Sequence, residues 1–329
     1  MSIHSTITHN TVAVARIAVR LGLALCAAVV FVAAAQAQTT NKFISANGND
    51  ANNCSRTAPC KTLQRGVDVT ASNSVLQILD SGAYGPATLA KSITIAAEGV
   101  LATTQAITIN GSNADVVLRG LLVSGRGSTA GASGITITAA RSVHIVRCEI
   151  ERFSFHGITQ TIDAELFVSD SISRGNGQSG ISLFAPFGTL VRLTIDNSRF
   201  ENNGDDGIHG FRTHGTISRS IASGNGGSGV QITSTLMDII STTAANNAGD
   251  GFTVLNSSKL SLENSMASQN AASGLSVLFG TLARISNSAL TNNGVGITNN
   301  GITHTRQNNM VSGNSSNLTG NALTPLGGI

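Results

Sequence analysis

Asn225-Gly226-Gly227-Ser228-Gly229-Val230-Gln231-Ile232 is followed 22 residues later by Asn247-Ala248-Gly249-Asp250-Gly251-Phe252-Thr253-Val254. The two octapeptides share one plan: an Asn, small or turn-forming residues, a Gly, then an apolar–polar–apolar run. The Gly–apolar step recurs at Gly134-Ile135, Gly157-Ile158, Gly180-Ile181, Gly207-Ile208, Gly274-Leu275 and Gly296-Ile297, at intervals of 22 or 23 residues with one of 27. A fixed period in this range marks a repeat array. Alternating runs such as Ser142-Val143-His144-Ile145-Val146 and Lys259-Leu260-Ser261-Leu262 read as short strands, not as helices with a 3.6-residue period. A coil of three short strands and three turns fits the interval.

The columns agree. Twelve residues before the glycine stand Ile145, Val168, Ile195, Ile217, Ile239 and Leu262, an inward-facing apolar stack. Nine before it stand Cys148, Ser171, Ser198, Ser220, Thr242 and Ser265, which makes Cys148 a buried, inert member of a small-residue column. Four before it stand Asn176, Asn203, Asn225, Asn247, Asn270 and Asn292, with Phe153 one coil earlier. Asn at one turn of successive coils can form a hydrogen-bonded ladder that satisfies backbone groups otherwise buried unpaired.

Composition narrows the class. Only 11% of the 329 residues are charged and 36 are Gly, against about 25% charged and about 7% Gly in ordinary domains. That bias excludes coiled coil and charged disorder. Arg16 and Arg20, the uncharged run Leu21–Ala35 and the small-residue step Ala35-Gln36-Ala37 have the order of a secretory signal peptide over 1–37. Cleavage before Gln38 removes two of the positive charges behind the net +3, leaving the rest near neutrality. Neither a nucleic-acid partner nor a membrane span after cleavage is expected. The expected location is secreted or periplasmic. Cys54 and Cys60 flank Ser-Arg-Thr-Ala-Pro; outside the cytosol a local disulfide is the natural reading, and a metal site would need a His or third Cys that the neighbourhood lacks.

With these columns in view, the chain resembles the right-handed parallel β-helix proteins of the pectate-lyase-like superfamily. Phe43-Ile44-Ser45-Ala46-Asn47-Gly48-Asn49-Asp50, leading to Pro59-Cys60-Lys61-Thr62-Leu63-Gln64, is similar to the opening of many secreted members. The resemblance covers residues 42 to 315 and implies an all-β solenoid with a short N-terminal capping helix over Thr62 to Ala71. The expected layout is a signal peptide at 1–37, a cap with disulfide loop and helix at 38–74, the β-helix at 75–315 and a tail at 316–329. The fold hosts lyases, hydrolases, esterases, adhesins and phage spikes, so activity must be argued from the site.

Lyases of this kind use a Lys or Arg base with Ca²⁺ on clustered carboxylates, and hydrolases use grouped Asp residues. The densest cluster is Gly204-Asp205-Asp206-Gly207-Ile208-His209-Gly210-Phe211-Arg212-Thr213-His214, at the end of the 27-residue interval, which implies an extra loop. Asp206 and Asp250 share the slot before their glycines two coils apart, roughly 10 Å at strand spacing. That lies near the upper end for inverting hydrolases. His209 interrupts an outward column of hydroxyl residues. Asp206, Asp250 and His209 are therefore the acid/base candidates, with Arg212, Asp205 and Phe211 as substrate contacts. Against them stands the turn chemistry of Asp-Gly, which needs no function. Phe184 and Phe211 could stack on a sugar or fill a turn, and packing is the expectation. The outward column Arg147, Asp170, Asn197, Arg219, Ser241 and Asn264 could meet an acidic polymer, though a solvated face is the plainer reading.

No calcium cage, zinc signature, phosphate loop or dinucleotide fingerprint is visible, so no cofactor or metal is expected. The leading functional expectation is a protein that presents a polar face to extracellular or cell-surface polysaccharide. The alternatives are a polysaccharide lyase or polygalacturonase-like hydrolase, and an adhesin or surface component.

Overall fold

The computed structural model describes residues 41–127 and 130–327. The expected signal segment, with Arg16, Arg20 and the start at Gln38, lies outside the described residues. The chain winds as a right-handed parallel β-helix of three sheets. Each coil runs through a strand of the first sheet, such as Ser142–Val146, then the second, Glu149–Glu151, then the third, Ile158–Gln160. The first sheet has 13 strands and the others 11 each, and every pairing is parallel to the same strand of the next coil.

Register stacks like on like. Ile145, Val168, Ile195, Ile217, Ile239, Leu262 and Ile285 are successive partners, all buried. A coil alone could not bury that stripe; its neighbours do, which is why the array is stable only as a stack.

The corners carry the polar ladders. Between first and second sheets, Arg147, Asp170, Asn197, Arg219, Ser241, Asn264 and Asn287 all have φ between 45° and 52°, a left-handed corner once per coil. The small column follows. The amides of Cys148, Ser171 and Ser198 donate to the hydroxyls of Ser171, Ser198 and Ser220 at 3.1–3.2 Å. Burial pushes the Cys148 thiol up to about 11. After the second sheet comes the asparagine ladder: Asn176 Nδ2 donates to Asn203 Oδ1 at 3.0 Å, and the pattern repeats through Asn225, Asn247 and Asn270.

One rung differs from the sequence reading. Asn270 donates to Asn293, not Asn292, and Asn293 to Asn314. The following turn is one residue shorter, so counting back from Gly296 lands on the wrong member of the Asn292-Asn293 pair. Asn292 takes the preceding left-handed corner, φ 58°, as do Asn202, Asn246 and Gln269 in their coils.

The ends also differ from the expected layout. Ser316–Gly320 pairs with Val295–Asn299, and Thr324–Pro325 with His304 and Thr305, so the coils continue into the expected tail as far as Pro325. At the other end, Lys42–Ile44 pairs with Ser74–Ile78 and belongs to the first sheet. The Cys54–Cys60 disulfide, Cα–Cα 4.7 Å, closes a loop that bonds along Phe43 and Ser45. The helix Leu63–Val69 starts at Thr62, whose hydroxyl accepts from the Arg65 amide at 3.3 Å. Asp50 accepts from both Thr62 and Lys61; these bonds outweigh its partial burial and hold its carboxyl below the usual range. The helix lies so close to the first coil that a Cβ on Gly66 would stand 2.7 Å from the Ile44 side chain.

Candidate functional site

The slot just before each repeat glycine lies where the chain enters the third sheet. In successive coils it holds His156, Ser179, Asp206, Ser228, Asp250 and Ser273. The register His209 against Ser182 on one side and Gln231 on the other places His209 on the outer face of its strand, Ile208–Phe211.

Asp206 is 4% exposed. Its Oδ1 accepts from the Ser228 amide at 2.7 Å, and its Oδ2 lies 3.6 Å from His209 Nδ1. Burial pushes the Asp206 carboxyl up to about 7; the Ser228 bond opposes the rise and the Asp205 charge adds to it. Burial holds His209 below the ordinary histidine range, against the pull of Asp205. At neutral pH the 3.6 Å contact is therefore no ion pair, and it is too long for a hydrogen bond. Asp205 Oδ2 accepts from Ser179 Oγ at 3.1 Å, and the Ser179 amide donates to His156 Nδ1 at 3.2 Å. Burial depresses His156 as well, with Asp205 raising it and His209 lowering it.

Asp205, Asp206 and His209 thus come together, joined by His156, which the sequence reading missed. Its signal was its place in the same slot as Asp206. A carboxyl titrating near neutrality beside two neutral imidazoles is able to exchange protons with a bound molecule. The three donor atoms of Asp205, Asp206 and His209 lie within 4.8 Å of one another. A calcium ion takes six to eight oxygens, and this set, two of whose members already accept hydrogen bonds, falls well short.

Asp250 stands apart. Its Oδ1 accepts from the Ser273 amide at 2.7 Å and its Oδ2 from Thr253 Oγ1 at 3.0 Å. It repeats the structural part of Asp206's role two coils on, without the histidines. The two corner arginines of the outward column are also occupied: Arg147 pairs with Glu98, and Arg219 with Asp196.

Phe211 ends the strand that carries His209 and Arg212 follows it, about 7 and about 10 Å beyond His209 at strand rise. Phe211 stacks on Phe184, centroids 4.6 Å apart and planes within 8°. The Arg212 guanidinium sits 4.5 Å from the Phe187 ring and 5.0 Å from that of Phe211. Phe184 is exposed, against the expectation of packing, whereas Phe211 is half-buried against it. The extra residues of the 27-residue interval fall here, in the turn 185–190, and not at the Asp cluster.

A family model described as "Right handed beta helix region" matches residues 93–236 and 187–316. No curated protein sequence matches the chain. Among solved structures, pectate lyase Pel9A is similar with a TM-score of 0.56 at 15% identity, over 85% of this chain and 78% of that one. The A-module of Azotobacter vinelandii mannuronan C-5 epimerase AlgE4 gives 0.56 at 15% identity, over 80% and 94%. The enzymatically active domain of bacteriophage CBA120 tailspike protein 2 gives 0.53 at 15% identity, over 70% and 43%.

Proposed function

The chain belongs to the right-handed β-helix family, and from that premise we propose that it is a secreted or periplasmic protein that binds polysaccharide on the outside of its solenoid. The observation that carries the reading is the outer surface around the third sheet. Thr136, Thr159, Ser182, His209, Gln231 and Thr298 hold partly exposed places in one register column over eight coils, which Thr253 and Ser276, both buried, continue between Gln231 and Thr298. Beside its middle coils stand the exposed rings of Phe184 and Phe187. Hydroxyl, amide and aromatic groups in a line suit a polymer of hydroxylated rings. That two structural neighbours are named for pectate and mannuronan supports the same class. No helix among the described residues is long and apolar enough to cross a membrane.

A second reading, a carbohydrate-active enzyme, is favoured by one observation: the Asp206 carboxyl titrates near neutrality beside His209 and His156. In it Asp206 is the acid/base group and Asp205 and His209 orient it; Asp250 takes no part.

The test is one panel on the chain from Gln38: polygalacturonate, alginate and neutral glucans, with and without Ca²⁺. Binding, reducing ends and unsaturated uronate absorbance are read together. Retention without product supports the binding reading. Product that disappears in Asp206→Asn, with the fold intact, replaces it with the enzyme. No retention and no product would overturn both.

A further inference from the structure

The tetrapeptide Phe-Gly-Thr-Leu occurs twice, at Phe187-Gly188-Thr189-Leu190 and Phe279-Gly280-Thr281-Leu282. Both copies fall in the same turn of the coil, from the third sheet back to the first. They fold the same way. The Thr189 amide donates to Pro186 O and the Thr281 amide to Leu278 O, each at 3.2 Å. The threonine hydroxyls add bonds to the same carbonyls at 3.0 and 2.5 Å. Gly188 and Gly280 have φ of 82° and 76°. That is a type II turn, whose third position requires the glycine and whose second position points its side chain away from the chain. Phe187 and Phe279 hold that second position, and each ring is 90% exposed. Neither contributes to the core, so the fold does not account for two phenylalanines presented by one device.

The coils between them lack it. From the coil of Phe187 to that of Phe279 there are four strand pairings, about 19 Å at strand spacing. The intervening turns are cut to Arg212, to Ser234-Thr235 and to Asn256-Ser257-Ser258. Two tall aromatic turns thus bracket a notch floored by short polar ones. Arg212 is fixed at one end of the notch between Phe187 and Phe211. Lys259 lies at the other, beside Phe279, in a surface depression of about 470 Å³ that takes in Ser257 on the notch side and continues past the Phe279 turn to Asn300. Neither cation has a carboxylate partner among the described residues, and no acidic residue occurs in any of the five turns.

We infer that this notch is a subsite for a linear, carboxylate-bearing polysaccharide lying along the solenoid axis; the inference rests on the polysaccharide reading above and gives it a place and a charge. The phenylalanine rings meet the apolar faces of sugar rings at the two ends, Arg212 and Lys259 meet carboxylates, and Ser234, Asn256 and Ser257 meet hydroxyls. The span favours a polymer over a small molecule. Two cations are too few for a phosphate backbone, whose binding depends on neutralising many charges.

The probes are defined oligomers of galacturonate and mannuronate, a neutral glucan oligomer and oligothymidine. Each is titrated by calorimetry against the chain from Gln38, against Phe187→Ala, Phe279→Ala and the double variant, and against Leu101→Ala, an exposed apolar residue in another turn. The phenylalanines are surface groups, so unchanged melting curves are expected. A uronate oligomer should lose about tenfold in affinity with either single variant and escape measurement with the double, while Leu101→Ala leaves it unchanged. Binding should weaken with added salt and with Arg212→Gln. If the uronates bind the double variant as tightly as the parent, the notch is not the subsite, although the polysaccharide reading stands. If no glycan binds the parent, that reading fails and takes this one with it. Equal affinity for the neutral glucan, or tighter binding of oligothymidine, would overturn the assigned charge class. A change of oligomeric state in the double variant with glycan affinity intact would assign the rings to contact between copies instead.

Discussion

Asp206 couples its ionisation to stability with a definite sign. Its folded carboxyl titrates near 7, above the ordinary value of 3.8, so between these limits the folded state holds a proton that the unfolded chain has released. Stability conferred by that proton is complete at the acid end and is lost as pH rises toward 7, with a slope of up to about 1.4 kcal/mol per unit. Asp206→Asn keeps the acceptor for the Ser228 amide and should flatten melting temperature between pH 4 and 7 relative to the parent. A parallel pair of curves would contradict the assignment. A second residue-level expectation concerns Ser241, which holds a left-handed corner at φ 52° and accepts from Asn264 Nδ2 at 3.1 Å. Asn264 itself accepts from Asn287 Nδ2. Asn tolerates this backbone better than Ser and would extend the outer amide row. Ser241→Asn should raise stability by about 0.5 kcal/mol, read from the denaturant midpoint.

At the scale of the element, the asparagine ladder is the interaction whose interruption costs most. Asn247 accepts from the amide and the side chain of Asn225, and donates to Ala222 O and Asn270 Oδ1. Asn247→Ala leaves several buried polar groups without partners and should cost about 3 kcal/mol in chemical unfolding. Asn314, at the part-exposed end of the row, should cost about a third of that. The ladder shows how far the sequence could be read. Its column was visible because the same residue type recurs at the coil interval, and so was the small-residue column of Cys148. The exchange of Asn292 for Asn293 was hidden because two asparagines are adjacent and only the backbone says which holds the left-handed corner. The site was legible in part for a similar reason. Asp205, Asp206 and His209 are close in sequence. His156 and Ser179 join them only through stacking of successive coils.

At the scale of the molecule, parallel stacking leaves each end of the solenoid with open strand edges, which invite association unless covered. The cap does this at the first coil, where the helix closes on Ile44 and Leu76 and the disulfide-closed loop bonds along Phe43–Ser45. Replacing Cys54 and Cys60 by Ser should cost about 2 kcal/mol by the loop-entropy estimate. The loss should appear first in hydrogen exchange of residues 42–64, because nearest-neighbour stacking confines a local defect to the adjoining coils. Removing residues 41–73 should expose the edge of Ser74–Ile78 and produce concentration-dependent light scattering; a clear solution at high concentration would show that the cap does not guard it.

Because every coil repeats one register, the two phenylalanine turns are separated by a whole number of identical layers. Their separation is therefore a graduated scale with steps of about 4.8 Å. Splicing in or deleting one 22-residue interval such as residues 230–251 would reset that scale by a single step, while both marks stay on the same side of the rod. Length discrimination among ligands could thus evolve, or be engineered, by counting layers and not by redesigning either mark.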